Sequence, residues 1–514
     1  MEHCLDPEPK MSDTEIEGGL DLQQTRSGWS IAESLSPVRE TVFIFVICMA
    51  QFMTQAGLGS QLAPLTIIGD SFHITDNGIL SWFVAGYSLT VGTFILFFGR
   101  CGDCFGYHTM FVIGFVWFGI WSMVAGVSVY SNSVLFIFAR TAQGLGPAML
   151  LPNGLAILGA TYRPGPKKDM IFAIFGATAP NGAIIGAVFA ALFSQLAWWP
   201  WTFWSTAIVC LVLAALGWAV IPRIHHEREK HGMTLVEWMQ ELDIVGACLG
   251  VGGLILVNVA WNQAPIVGWP TAYVYVLLII GLVLLGFFFG WELRVARKPL
   301  IPLQALTLDV SFVLGCVACG WASFGIWTYY LWLFLEHVRG ETPLMAAAQF
   351  VPPGVSGLLA SFTTGYLMSR IRPGWIMLFA MVAFTLGNIF VAIAPVHQTY
   401  WALTFVSLVV TPWGMDMSFP ASTVLLSNAV ERRHQGIAAS LVTTVVNYSI
   451  SLGLGFAGTV EVHVNHGGKT FHDRLLGYRG ALYMGIGLGG LGVAVSVIYL
   501  VKSILKKEPQ GEEK

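Results

Sequence analysis

Apolar runs of membrane-crossing length recur along almost the whole chain. They fall near residues 41–64, 78–98, 109–129, 134–158, 169–192, 202–222, 244–263, 271–292, 311–335, 344–368, 375–395, 399–424, 436–460 and 481–503. A helix needs about 20 apolar residues to cross a bilayer, so the pattern predicts about fourteen spans joined by short polar turns. Span 12 is the least clean, being broken by Pro412, Gly414, Asp416 and Pro420. The first stretch is polar and acidic, with Asp6, Glu8, Asp13, Glu15, Glu17 and Asp21, and has no apolar core of a cleavable leader. It reads as a disordered cytosolic tail over 1–40, and 504–514 reads as a second one.

Composition agrees with the pattern. The 514 residues are 55% hydrophobic and 11% charged, with a mean hydropathy of +0.69. Soluble domains carry about 25% charged residues, so this is an integral membrane protein. A net charge of -3 gives no sign of a nucleic-acid partner. The distribution of charge fixes an orientation. With the N-terminus in the cytosol, Arg100, Arg163, Lys167, Lys168, Arg223, Arg228, Lys230, Arg294, Arg297, Lys298, Arg370, Arg372, Arg432 and Arg433 all lie at cytosolic ends. Only Arg339, Lys469, Arg474 and Arg479 fall outside, as the positive-inside rule requires. Both termini are therefore expected in the cytosol, with the plasma membrane the expected location.

Chemistry-bearing motifs are sparse. The cysteines do not form a disulfide framework, and Cys101-Gly-Asp-Cys104 has no second pair on a polar segment to make a zinc or redox site. Gly453 to Gly458 and Gly485 to Gly490 fit GxGxxG, but both lie in spans and neither follows a strand, so they read as packing glycines. No Walker motif precedes a soluble segment. No His cluster or carboxylate pair converges in the spans, so no enzyme activity, cofactor or metal is expected.

Arg140 is the exception, lying well inside span 4. A charge at that depth costs about 3 kcal/mol or more, and a chain keeps one where it faces a wet cavity or a partner. Snorkelling to the headgroups is the alternative. Among carboxylates, Asp416 in span 12 is the first candidate to titrate, flanked as it is by helix breakers that could open a cavity. A helix cap or a structural arginine partner would also explain it. Glu336 and Glu461, at the outer ends of spans 9 and 13, read as solvated rim charges. A weak internal repeat relates the segment Gly99 to Gly106 after span 2 to Gly365 to Gly374 after span 10, both read as tight turns on a later glycine. The offset is eight spans, which two six-span halves separated by a two-span insert would give, with a substrate site between them at the midplane.

These residues resemble the major facilitator superfamily over nearly all of the chain between the tails. Gly99, Asp103 and Gly106 match the signature between spans 2 and 3, with Cys104 and Tyr107-His108 replacing usual basic residues. Arg140, Gln143, Gly144 and Gly146 match the arginine signature of span 4. Gly176, Pro180, Asn181, Gly182 and Gly186 resemble the glycine-proline motif of the antiporter branches, although close helix packing alone would explain the glycines. Trp199 to Trp204, Asp243 to Gly246 and Asn262 to Trp269 resemble the fourteen-span drug:proton antiporter branch. Thr411 to Pro420 and His434-Gln435-Gly436 resemble its fungal subgroup around the aminotriazole- and boron-resistance pumps, which includes low-affinity ammonium transporters and secondary-metabolite exporters. One departure is that Gln55 stands where the branch has an aspartate in span 1.

The resemblance implies an all-α major facilitator fold. Its parts are an N-terminal six-helix bundle over 41–222, a cytosolic loop over 223–243 and a two-helix insert over 244–292. A second cytosolic loop over 293–310 and a C-terminal six-helix bundle over 311–503 complete it. For Asp103 it implies a role in holding the cytosolic side closed against a helix N-terminus of the other half. Arg140, Asp416, Asp103, Gly99, Gly106, Gln143, Gly144, Pro180, Gly182 and Gly186 are the expected coupling and gating residues. Gln55, Gln61, Tyr87, Asn153, Asn181, Trp327, Tyr330, Trp413, Asn447 and Tyr448 are the expected cavity residues, although each would also serve as a helix–helix hydrogen bond. The expected function is proton-coupled export of a small organic compound, such as a drug, toxin or fungal metabolite, by alternating access in a monomer. The partners are the lipid bilayer, a small-molecule substrate and protons. Movement of a small inorganic species such as ammonium or borate is the alternative, since a facilitator needs no coupling carboxylate at Gln55.

Overall fold

The computed structural model describes residues 35–74, 76–163, 165–222, 234–301, 307–429 and 435–505. Long helices hold most of them. In chain order they are α1 (Pro37–Leu62), α2 (Asn77–Phe105), α3 (Tyr107–Val127), α4 (Ser133–Thr161), α5 (Pro166–Leu196), α6 (Pro200–Val220), α7 (Ile244–Val267) and α8 (Ala272–Arg294). Then follow α9 (Leu308–Val338), α10 (Pro343–Met368), α11 (Pro373–Ile393), α12 (Leu403–Ala429), α13 (Gln435–Val464) and α14 (Phe471–Leu505). Local chemistry sets their starts. Proline opens α1, α5, α6, α10 and α11, where its missing N–H costs nothing. Side chains of Ser36, Asp76, Asn132 and Thr307 accept the first backbone N–H groups of α1, α2, α4 and α9.

Thirteen of these helices are long and apolar enough to cross a membrane. The remaining one is α12, a helix of 27 residues in spite of Pro412, Pro420 and Asp416. Its polar residues lower its hydropathy, and packing against α9, α10 and α11 keeps it in the bundle. Two expected boundaries change. The segment Gly99 to Phe105 is the last part of α2, and only Gly106, at φ +94°, makes the turn. Gly374 is likewise inside α11, so the second copy of the repeat has no glycine turn. The other change is at α14, which starts at Phe471, well before its apolar run. The Thr470 hydroxyl accepts the Asp473 N–H while the Asp473 carboxylate accepts the Thr470 N–H, and this reciprocal cap nucleates the polar first turns. Helix α1 already begins at Pro37 and α14 runs to Leu505, so both enter the expected tails, and Arg223, Arg228, Lys230, Arg432, Arg433, His434 and residues 1–34 and 506–514 lie outside the described residues.

The eight-span offset recurs in the packing. In the first six helices, α1 packs on α5, α3 on α6, α2 on α4 and α3 on α4. In the last six, α9 packs on α13, α11 on α14, α10 on α12 and α11 on α12. Between the bundles α2 meets α13 and α5 meets α10, two contacts that the same offset exchanges. The insert lies to one side, with α7 against α2 and α13, and α8 against α7. Burial follows: 83% of the apolar core of α2 is buried and 17% of that of α8, which makes α2 central and α8 peripheral.

The two ends of the bundle differ in their polar ties. At the tail face, where α1 begins and α14 ends, Glu40 accepts from Tyr162 (2.8 Å) and pairs with Lys167 (2.7 Å). Arg39 donates to the Val220 carbonyl (3.1 Å) and Lys502 pairs with Asp309 (2.7 Å). Asp243 at the start of α7 and Glu292 near the end of α8 are buried there as well, and the opposite end, called the far face below, carries the buried Glu461.

Candidate functional site

Arg140 sits on the first segment of α4, which breaks at Gly144. A methyl group on Gly144 would lie 2.5 Å from the Tyr87 carbonyl oxygen, so glycine there lets α4 press onto α2. That approach buries Arg140 completely. Its Nη2 donates to the Gly57 carbonyl (2.9 Å), its Nε to the Phe83 carbonyl (3.5 Å) and its Nη1 to Gln143 Oε1. The guanidinium lies 4.6 Å from the centre of the Tyr87 ring and 5.8 Å from that of Phe203. Gln143 in turn donates to Ser122 Oγ (2.5 Å) and Tyr87 to the Thr54 carbonyl (2.8 Å). Every one of these partners belongs to the first bundle. Arg140 therefore ties α1, α2, α3 and α4 together through carbonyl and amide oxygens, and its hydrogen bonds do not reach Asp416.

The glycine-proline helix makes a second close approach. A methyl on Gly186 would lie 2.6 Å from Ala56 Cα, and one on Gly182 would collide with the Phe52 carbonyl. These glycines seat α5 directly on the α1 backbone. On the same helix Ile184 packs against Gly354 of α10, and one turn away Pro180 also faces the other bundle. A methyl on Gly357 of α10 would lie 2.7 Å from Asp416 Oδ2 and 3.7 Å from Pro180 Cβ. Asp416 thus occupies the crossing of α5, α10 and α12, where the bundles meet. It is partly buried as a residue, yet its Oδ2 is sealed from solvent and has no hydrogen-bond partner.

The expected cavity residues separate into two groups. Gln61, Tyr87, Asn153, Trp327 and Tyr330 are fully buried in the helix packing. Tyr87 lies under Arg140, Asn153 donates to the Met149 carbonyl (2.6 Å), Trp327 to Ser407 Oγ (2.7 Å) and Tyr330 to Glu461 Oε2 (2.7 Å). These bonds match the alternative reading of the four as helix contacts, while Asn153 Oδ1 has no partner. Gln61 donates weakly to Ser60 Oγ (3.5 Å), and its Oε1 has no partner. Gln55, Asn181, Trp413, Asn447 and Tyr448 are only half-buried. Asn181 and Asn447 bond back to the Ala177 and Thr443 carbonyls of their own helices, and Trp413 donates to Ser356 Oγ across to α10 (3.1 Å). Tyr448 donates to the Leu254 carbonyl of the insert (3.0 Å). A cavity of about 380 Å³ lined by Phe105, Tyr107, His108, Val112, Trp218 and Pro222 lies at the tail face of the first bundle, away from this crossing.

Around the expected gate on the tail face, Asp103 is exposed and accepts from Tyr107 OH (2.6 Å) within its own bundle. Gly99 packs over Pro152 of α4.

The far face departs most from expectation. Glu461 is 5% exposed and is no rim charge: Oε1 accepts from Asn77 Nδ2 (2.7 Å) and Oε2 from Tyr330 OH (2.7 Å). Glu336 is half-buried; its Oε2 accepts from Thr66 Oγ1 (2.7 Å) and its Oε1 is sealed with no partner. Tyr478, Tyr329 and His337 complete the cluster. Nearby, burial pushes the Arg339 guanidinium below its ordinary value, with Glu341 acting against the shift. Hydropathy missed this cluster because its members come from five separate elements. Gly477 of α14 packs against this end of α13, where a methyl would lie 2.9 Å from Asn465 Cβ and 3.1 Å from Glu461 Cγ.

Comparison with known proteins then gives the lineage. The family model described as Major Facilitator Superfamily matches residues 45–454 and 353–514. The chain is 55% identical over 475 residues to a low affinity ammonium transporter of Saccharomyces cerevisiae, covering 92% of this chain and 91% of that one. It is 47% identical over 473 residues to the efflux pump terJ of Aspergillus terreus, covering 91% and 90%. It is also 39% identical over 479 residues to an aminotriazole resistance protein of Saccharomyces cerevisiae, covering 91% and 85%.

Proposed function

This chain belongs to the major facilitator superfamily, and from that premise we propose that it exports a small organic compound against inward proton flow by alternating access. The family is one of membrane transporters for small molecules, so the open points are direction, coupling ion and substrate. In this reading the bundles α1–α6 and α9–α14 rock about their two crossings, α2 with α13 and α5 with α10, and the insert rides at the side. The termini lie in the cytosol, the membrane is the plasma membrane and the working unit is a monomer.

The observation that carries the proposal is Asp416. A carboxylate at membrane depth is costly, and this one has an oxygen with no hydrogen-bond partner at the crossing of the bundles. A proton would neutralise it, and movement of α5 against α10 would change its surroundings. Arg140, held within its own bundle, acts as a positioning residue for α2 and α4. The efflux pump and aminotriazole relatives support the direction.

Ammonium movement is the second reading, favoured by the 55% identical relative and by Gln55 in place of an acid. Whole cells loaded with radiolabelled aminotriazole or methylammonium separate the two. Export of aminotriazole that stops on adding a proton uncoupler supports antiport. Uncoupler-insensitive flux of methylammonium with no movement of aminotriazole overturns it.

A further inference from the structure

We propose that Arg100 fastens the tail gate: its guanidinium clasps the linker that follows the insert, and the insert carries that hold to the second bundle. The inference rests on the alternating-access reading and on the orientation that makes the tail face the cytosolic one.

The insert is joined to the second bundle inside the membrane. Tyr448 OH of α13 donates to the Leu254 carbonyl of α7 (3.0 Å), and Ser451 Oγ donates to Asn258 Oδ1 (2.9 Å). Asn262 Nδ2 returns a bond to the Ser451 carbonyl (3.2 Å). A methyl on Gly455 of α13 would lie 2.9 Å from the Trp261 carbonyl carbon, and the Trp261 ring stands edge-on to Phe456 with centroids 4.5 Å apart. Asn258 and Asn262 are buried. Amides at this depth have no water to replace such bonds, so α7 moves with α13. Among the described residues, α7 forms hydrogen bonds with α13 and none with α2.

At the tail face the insert reaches back to α2 through both of its linkers. Arg100, near the end of α2, donates through Nη2 to the Lys298 carbonyl (2.7 Å) and to the Pro299 carbonyl (3.1 Å). Ahead of the insert, the short helix Leu235–Glu241 lays Trp238 flat on Phe105, the last residue of α2, with ring centroids 5.3 Å apart. The accepting linker is itself held in shape. Its Leu300 N–H donates to Glu292 Oε1 of α8 (3.3 Å), and Lys298 pairs with Glu241 of the short helix. The two linkers thus form a collar around the end of α2. That helix belongs to the first bundle, and the collar hangs from an insert fastened to the second.

The chemistry suits a clasp that closes and lets go. One planar NH2 group presents a separate N–H to each carbonyl. Both acceptors are main-chain oxygens, so the hold does not depend on the ionisation of a partner side chain. Arg100 is only half-buried, and water can satisfy it and the two carbonyls when the face parts. The bonds therefore bias the gate towards closure without locking it. Arg100 is a positioning residue for α2, and its loss shifts the molecule towards the tail-open state.

The test reads both gates and no transport, so failure of the export proposal leaves its outcome unchanged. Thr444→Cys places a thiol at a buried position of α13, where a methyl on Gly92 of α2 would lie 3.1 Å from the Thr444 carbonyl oxygen. Ser81→Cys places one at a buried position near the far end of α2. Labelling by a membrane-impermeant maleimide is followed for the first in inside-out membrane vesicles and for the second in intact cells. Each is compared with the protein lacking the added cysteine. Arg100→Ala should speed labelling at Thr444→Cys by about three- to tenfold. It should slow labelling at Ser81→Cys, because an open tail face excludes an open far face. Trp238→Ala should move both reporters in the same directions. A rise at both reporters would mean that Arg100 only stabilises the fold, and overturns the proposal. Unchanged rates at both overturn it as well. If Arg100→Ala fails to reach the membrane, Trp238→Ala decides by the same signs.

Discussion

Each guanidinium nitrogen of Arg140 faces an oxygen of its own bundle, so truncation leaves the buried Gln143 Oε1 without its donor and leaves the Gly57 carbonyl with Ser60 Oγ as its side-chain donor. An unsatisfied buried polar group costs about 1–3 kcal/mol. Arg140→Ala should therefore abolish transport and also lower the thermal midpoint of the detergent-solubilised protein. Arg140→Lys keeps the charge but loses the fork that bridges α1, α2 and α4, and should be nearly as damaging. Full transport by either variant would remove Arg140 from the account. Arg140 stood out in the sequence because a charge deep in an apolar run has an energy that can be read from position alone. Glu461 did not, because a carboxylate at the end of a run looks the same whether it faces water or lies sealed between helices. Its partners Asn77 and Tyr330 are far away in the chain, and only the fold brings them to it. Tyr87 and Trp327 illustrate the same limit from the other side: a polar aromatic on a cavity helix can equally point into its own bundle.

Helix α5 is seated on α1 through Gly182 and Gly186, and on α10 near Pro180 and Gly357. Gly186→Leu would drive a side chain into the α1 backbone, and overpacking of this kind costs about 1–3 kcal/mol. It should lower the thermal midpoint and transport together. Gly357→Ala is gentler, since its methyl meets the free end of the Asp416 side chain rather than backbone. That variant should keep the thermal midpoint of the parent while weakening proton-driven transport; loss of stability with coupling intact would contradict the geometry. The helices themselves were legible as apolar runs of sufficient length. Their ends were less so. Capping by Thr470 and Asp473 extends α14 into polar sequence, and helix α2 continues through Gly99 and Gly102 because glycine only weakens a helix that packing holds. Helix α12 shows the reverse: tertiary contacts keep it helical where hydropathy alone falls short.

At the scale of the whole molecule, packing pairs repeat at an offset of eight helices, and the contacts between bundles exchange under the same offset. Such a molecule has two related ways of parting, one at each face, which is the geometric requirement for alternating access. The even number of helices and the eight-span spacing were readable from the chain, since they follow from counting apolar runs. The surroundings of the acids were not. Three carboxylates, Asp416, Glu461 and Glu336, meet residues of both bundles, and only those neighbours distinguish them. The central claim is that the proton driving transport binds Asp416. It is tested most directly by proton movement in liposomes containing the purified protein and a pH-sensitive dye, on addition of aminotriazole. The account predicts a substrate-induced proton flux that Asp416→Asn abolishes, while exchange of labelled for unlabelled aminotriazole persists in that variant. An undiminished proton flux in Asp416→Asn would contradict it.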